Sequence, residues 1–216
     1  RTSLLDRKVF GGETYRDVGK VWYSYGQIPV ERFKIKTAIT FSFVSTHNHF
    51  VLDRGGKVFK QTAPVIKLAV GSSDAEHLGL LGLLNSSVSC FWLKLVCSAK
   101  HIGDPAFQRF EYDSTKVSQF PLATPHPIDL STALDSLSQT RATCMPQSFI
   151  GNQVRSRLEL NDVQRQAASL QRKMIALQEE LDWRCYGIYD LLPELAQASD
   201  FEHAAPPEVG LGERAF

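Results

Sequence analysis

The chain has 216 residues, 43% of them hydrophobic and 22% charged, with a formal net charge of +1. A chain of this size buries a core without needing disulfides or metals. No run reaches the roughly 18 apolar residues of a membrane span, since the longest candidate, Leu78 to Cys97, is broken by Asn85, Ser86, Ser87 and Lys94.

The small net charge hides an asymmetry. Residues 1–70 carry 12 Lys/Arg against 5 Asp/Glu, whereas residues 129–216 carry 8 against 13. A basic first third fits a polyanionic partner, or simply a solvated lysine and arginine surface. Cys90, Cys97, Cys144 and Cys185 form no CxxC pair, so they are expected to be reduced core thiols in a cytoplasmic protein. A metal site from Cys90, Cys97 and His101 would lack the fourth ligand of a closed zinc site. The chain opens on Arg1 and reads as a piece cut from a longer polypeptide.

Five short runs rich in Val, Ile, Phe, Tyr and Thr predict strands: VWYSYGQI (21–28), KIKTAITFSFV (34–44), HFVLD (49–53), KVFKQ (57–61) and APVIKLAV (63–70). Asp53-Arg54-Gly55-Gly56 predicts a tight hairpin between the third and fourth, because glycine accepts positive φ. Ser72, Ser73 or Asp74 can then cap a helix whose leucines at 78, 80, 81, 83 and 84 leave it apolar on most sides and therefore buried. Asn85-Ser86-Ser87 breaks or recaps it, and Val88 to Cys97 predicts a second helix with Phe91 and Trp92 in the core. Residues 101–122 return to loop and strand. Pro121, Pro125 and Pro127 mark the main predicted boundary.

Beyond it Asp129 or Ser131 can cap a helix carrying Leu130, Ala133, Leu134 and Leu137. A long helix follows, from about Val154 to Cys185. Its apolar positions Val163, Ala167, Leu170, Met174, Leu177 and Leu181 step by 4 and 3, a heptad-like seam. Gly187 is a plausible terminator, and Trp183 and Tyr186 are expected to lock the helix against a neighbour. The expected fold is α+β: a twisted β-rich domain with short buried helices over 1–127, a long-helix spacer forming a helical hairpin over 128–192, and a disordered tail or linker over 193–216.

The search for chemistry is negative. The sequence holds no G-x-S-x-G, no phosphate-binding Walker loop, no HExxH and no GxGxxG between strand and helix. Glu179, Glu180 and Asp182 read as a solvated helix face, and His47 and His49 lack a neighbouring carboxylate or thiol. No catalytic residue and no metal site is assigned.

LLGLLNSSVSCFWLK, at 80–94, resembles the Leu-Leu-Asn-Ser helix of target-recognition domains in restriction–modification methyltransferases. THNHFVLDRGGKVFKQTAPVIKL (46–68), QFPL (119–122) and ALQEELDWRCYGIYDLL (176–192) follow the order of the adenine-specific DNA methyltransferases of BREX phage-exclusion systems and their type IIG relatives. The resemblance covers roughly residues 7–192. It implies a sequence-specific duplex DNA recognition module of an S-adenosylmethionine-dependent adenine-N6 methyltransferase in phage defence. Its partners would be double-stranded DNA, an upstream methyltransferase domain of the same polypeptide and other defence-system proteins, with no membrane partner. The family's Asn/Asp-Pro-Pro-Tyr/Phe motif is absent here, so no cofactor is expected in this fragment and S-adenosylmethionine is expected in the parent enzyme.

On that reading Arg54, Lys57, Lys60 and Lys100 are candidates for phosphate contact. His47, Asn48, His49, Arg109 and Tyr112 are candidates for base reading, since Asn pairs bidentately with adenine and Arg with guanine. Asn85 has a better structural role, ending one helix and capping the next. The competing readings are a protein-interaction module that docks a partner subunit through its helices, and an autonomous nuclease or hydrolase. Against the latter stands the lack of clustered acidic or nucleophilic residues in the first 130 positions.

Overall fold

In a computed structural model, residues 2–9, 11–25, 35–100, 108–149 and 156–192 are described. The chain divides into two compact units, residues 1–36 and 37–216. The expected tail over 193–216 lies outside the described residues.

The first unit opens with a helical turn, α1 (Thr2–Leu5). An isolated bridge between Lys8 and Thr14 closes a loop through Gly11 and Gly12. Tyr15, only 3% exposed, is the centre of the unit. Of the predicted strand VWYSYGQI, residues 21–25 form a hydrogen-bonded turn instead, with the Ser24 N–H donating to Val21 O at 3.0 Å. Residues 26–28 lie outside the described set.

The second unit is α+β. Its described strands are β1 (Ala38–Phe41), β2 (Val44–Ser45), β3 (Phe50–Asp53), β4 (Val65–Ile66), β5 (Ser98–Ala99) and β6 (Phe110–Glu111). They form two antiparallel sheets, ordered β3-β1-β4 and β2-β6-β5. KVFKQ is not a strand. Both edges of β1 are taken, by β3 on one side and by β4 on the other. Residues 57–61 are left in the connection, with Val58 78% exposed. The tight hairpin expected at Asp53–Gly56 therefore does not form, since β3 pairs with β1 instead, although both glycines take positive φ, +105° at Gly55 and +83° at Gly56.

The helices are α2 (Asp74–Leu84), α3 (Ser87–Val96), the short α4 (Ser114–Val117), α5 (Ile128–Thr143) and α6 (Arg157–Ile188). Ser73 starts α2 with a reciprocal capping box to Glu76. Burial falls on nearly every side of α2, as its leucine run predicts, and α3 buries Ser89 and Leu93. Phe91 is a correction: it is 69% exposed, while Trp92 packs edge-on against Phe120. No single described helix is long and apolar enough to cross a membrane. The α2–α3 pair bends by 63°, and its leucines feed the core.

Neither Asp129 nor Ser131 caps α5. Pro127 takes the N-cap position, and the buried Ser131 hydroxyl donates to Pro127 O at 2.7 Å. The reason is close packing. Gly79 and Gly82 of α2 lie against the start of α5, so that a Cβ at Gly82 would stand 2.0 Å from Ser131 Oγ. Helix α6 starts at a second capping box, Ser156 with Glu159, and runs through Gly187 to Ile188. Gly187 is therefore not its terminator. The left-handed residue is Asp190, at φ +55°.

Along the heptad seam Ala167 and Leu181 are buried, and Val163, Leu170, Met174 and Leu177 are partly so. Helices α5 and α6 pack together, but the last turns of α6 do more. Leu181 and Cys185 join the same core as Ile39, Phe41, Phe50, Leu83, Leu84 and Phe120. Residues on either side of Pro127 thus share one core. Burial pushes the Cys185 thiol up to about 12, so it stays protonated; Cys97, Cys144 and Cys185 are buried and Cys90 is half-buried.

Candidate nucleic-acid interface

A densely bonded polar arrangement in the second unit is the corner between α2 and α3, Leu83 to Ser87. Two chain segments hold it. From the strand side, Asn48 Nδ2 donates to Leu84 O at 2.7 Å, a carbonyl in the last turn of α2, and to Ser86 O at 3.3 Å, which also accepts the first helical bond of α3 from the Cys90 N–H. Asn85 exchanges two bonds with the Phe50 backbone, accepting from its N–H and donating to its C=O, both at 2.9 Å. The side chain thereby imitates a strand neighbour for β3. Ser86, fully buried, donates to Leu83 O and accepts from Ser89 N–H as the cap of α3.

From the α6 side, the buried Asp182 carboxylate accepts from the Ser87 N–H at 2.7 Å. It completes the donors at the positive end of α3. Gln178 Nε2 reaches Asn85 O at 3.3 Å, and Ser87 Oγ donates to the Tyr186 hydroxyl at 3.0 Å. The LLNSS run, the THNHF run and the EELDWRCYG run, far apart in sequence, meet here. Their shared role is architectural: they join the sheet to the long helix. Asn85 does end α2, but Ser86 caps α3, and the bond to Phe50 was not foreseeable from spacing.

The candidate DNA-contact residues separate into groups. Asn48 is engaged as just described. Tyr112 is 2% exposed and presents no face to a base. Its phenol is pushed well above the usual range, first by burial and then by Cys90 and Cys97. Among the described residues its hydroxyl has no hydrogen-bond partner. Since an unpartnered buried hydroxyl costs about 1–3 kcal/mol, Tyr112→Phe is expected to raise stability by about 1 kcal/mol. A loss of stability in a urea unfolding curve would contradict this.

Arg54 and Lys57 lie beyond the far end of β3 and are paired internally. Arg54 makes a two-armed ion pair to Asp135 of α5, at 2.7 and 3.3 Å, which raises its pKa further. Lys57 holds the buried Asp53 carboxylate at 3.1 Å. Lys60 is exposed in the same connection.

The remaining candidates gather at the second sheet. The Lys100 N–H bonds Arg109 O at 2.8 Å, continuing the β5–β6 ladder, so the two side chains stand side by side on one face. Strand alternation places Arg109 and Glu111 on the face opposite the buried Tyr112. Lys100 pairs with Glu111, and Lys116 Nζ donates to Ser98 Oγ at 2.9 Å beside them. Lys100, Arg109 and Lys116 therefore share this outer face with the Glu111 carboxylate.

His47 and His49 follow β2, both exposed, with rings edge-on at 6.1 Å. Partial burial, then His49 and Lys94, depress the His47 pKa, so His47 is mostly neutral at pH 7, able to donate or accept at a base edge. Lys94, whose ammonium lies 6.0 Å from the Phe110 ring centroid, and Lys116 were not anticipated. Lys94 did leave a signal, as a charge inside an otherwise apolar run.

Among the described residues no group of three His, Cys, Asp or Glu is placed to hold a metal, and His101 lies outside them. A cavity of about 300 Å³ opens between the first sheet, α2 and α4, lined by Phe41, Ile66, Leu80, Leu84, Val117 and Phe120 among others. Among the described residues its walls offer serine hydroxyls but no carboxylate for ribose hydroxyls, a lining that does not fit S-adenosylmethionine.

No family model matches the chain. It is similar, over its whole length, to part of the adenine-specific methyltransferase PglX of Streptomyces coelicolor (strain ATCC BAA-471 / A3(2) / M145), with 42% identity over 228 aligned positions. The chain spans about a fifth of that relative, 19% of its length. The similarity marks a methyltransferase-related region of the kind that the BREX-type resemblance predicts.

Proposed function

We propose that this chain is the duplex DNA recognition module of a longer adenine-specific DNA methyltransferase. The observation that carries the reading is the outer face of the β2–β6–β5 sheet, where Lys100, Arg109 and Lys116 gather next to the His47–His49 turn. Similarity to a methyltransferase that acts on adenine supports the same reading.

Lysine and arginine on such a face neutralise phosphates and fix the register of the duplex, while imidazole edges and an arginine fork read bases in the major groove. The duplex must be held this way while a target adenine is turned out of the stack. Methyl transfer from S-adenosylmethionine to adenine N6 is assigned to the remainder of the longer polypeptide, not to residues of this chain. Binding to other defence proteins has no residue assigned to it.

The test is a salt titration of duplex binding. Lys100→Ala and Arg109→Ala are each expected to weaken binding and to make the slope of log K against log salt shallower by about 1. Arg54→Ala should leave that slope alone and lower the melting temperature instead, because it breaks the tie between β3 and α5. A wild-type chain that fails to bind duplex at low salt, or Lys100 and Arg109 variants with an unchanged slope, would sink the proposal.

A further inference from the structure

The first unit presents aromatic rings to solvent in a way that its small core does not require. Val21, Trp22, Tyr23 and Tyr25 are 47%, 37%, 70% and 79% exposed. Exposed aromatic clusters of this density mark binding surfaces more often than packing. Their backbone is held tightly from beneath. Arg7 Nη2 donates to Trp22 O at 3.1 Å, and the Tyr15 hydroxyl donates to Ser24 O at 3.1 Å. The Arg7 guanidinium lies 4.7 Å from the Tyr15 ring centroid, and Ser24 Oγ closes the turn onto Val21 O at 2.9 Å. Fixing the carbonyls inward turns the rings outward. Trp22 and Tyr23 also set one another, edge-on at 5.3 Å.

The unit is basic as well. Residues 1–36 carry eight Lys/Arg against four Asp/Glu. Rings held on a fixed turn within a cationic unit match the recognition of nucleic acid by stacking. Stacking needs a free base face. In duplex DNA those faces are covered by neighbouring pairs, so the chemistry selects unstacked bases.

We infer that Trp22, Tyr23 and Tyr25 form a stacking platform for single-stranded nucleic acid. The inference shares with the proposed function only the class of polymer bound. It places a second kind of contact on a different unit.

The experiment titrates the whole chain with a single-stranded oligothymidine and, separately, with a duplex of the same length, each followed by anisotropy of a labelled strand. Tyr23→Ser combined with Tyr25→Ser is expected to weaken oligothymidine binding at least about tenfold, given the usual worth of stacked rings. Duplex affinity and melting temperature should stay as in the wild type. Lys100→Ala with Arg109→Ala should do the opposite, so each idea can fail alone. Oligothymidine binding that is undetectable in the wild type, or unchanged in the double tyrosine variant, overturns the inference. So does slower hydrogen exchange over residues 21–25 in the longer polypeptide without DNA than in this chain alone, which would mean that a protein domain covers the rings.

Discussion

Asn85→Ala is expected to lower the unfolding free energy by about 2–4 kcal/mol, since it strands two partly buried backbone groups that each cost about 1–3 kcal/mol when unpaired. The Asn85 amide supplies both partners of the Phe50 backbone, an acceptor for its N–H and a donor for its C=O. Alanine supplies neither, and water reaches the site poorly because Phe50 is 4% exposed. Asn85→Asp keeps the acceptor, loses the donor and sets a carboxylate against the Phe50 carbonyl, so it should be at least as damaging. The exposed Asn161 on α6 is the control, and its alanine variant should be neutral within about 0.5 kcal/mol. Equilibrium urea unfolding reads all three. A loss under about 1 kcal/mol for Asn85→Ala would remove the corner from its central place.

Gly82→Ala should cost about 3 kcal/mol or more, against the gain of about 1 kcal/mol that alanine brings to an ordinary helix position. The new Cβ would stand 2.0 Å from Ser131 Oγ, 3.2 Å from Pro127 Cγ and 3.3 Å from Leu181 Cδ1. Ser131 has little room to yield, because it is buried and its hydroxyl is bonded to Pro127 O. Adding Ser131→Ala removes the atom in the way. The double variant should recover a large part of the loss, a coupling that a double-mutant cycle reads directly. Thermal unfolding that places Gly82→Ala level with the wild type would show that α2 and α5 are not closely apposed.

These two positions show which parts of the molecule could be read in advance. The start of α2 rests on local chemistry, so the sequence narrows its cap to Ser72, Ser73 or Asp74, and the structure selects Ser73 with Glu76. The buried leucine run of α2 and the existence of a long final helix are legible for the same reason. The β-rich first part was only partly legible. Val, Phe and Lys alternate in KVFKQ as they would in a strand, but strand status is granted by a neighbour, and β3 and β4 had already occupied both sides of β1. Gly187 invited a helix end, yet it is buried in the last turn and the helix runs one residue past it, to Ile188.

The candidate site divides along the same line. Residue type selects cations and amides as polar groups, but it does not tell which of them are bonded within the protein. Asn48 is bonded to two carbonyls near residue 85, Arg54 to an aspartate 81 positions later. Tyr112 was drawn toward the surface by its hydroxyl, whereas strand alternation turns it into the core. Lys100, though paired with Glu111, and Arg109 stand on an outer face because β5 and β6 pair there, a fact that depends on register rather than composition.

The corner between α2 and α3 also has a bearing on how this polypeptide comes into being. Ser87 and Asp182 are 95 positions apart, and contacts of such separation form late because a long loop must close first. During synthesis from the amino end, the sheet and α2 emerge while the chain that supplies Asp182 and Tyr186 is still being made. Until then the positive end of α3 has no carboxylate, and the leucines of α2 lack Leu181 and Cys185 to cover them. A fragment cut at Pro127 would be held permanently at that stage, with apolar surface open to aggregation. Soluble pieces of this protein should therefore be sought with their ends beyond Tyr189, not at the proline-rich stretch that looks like a boundary.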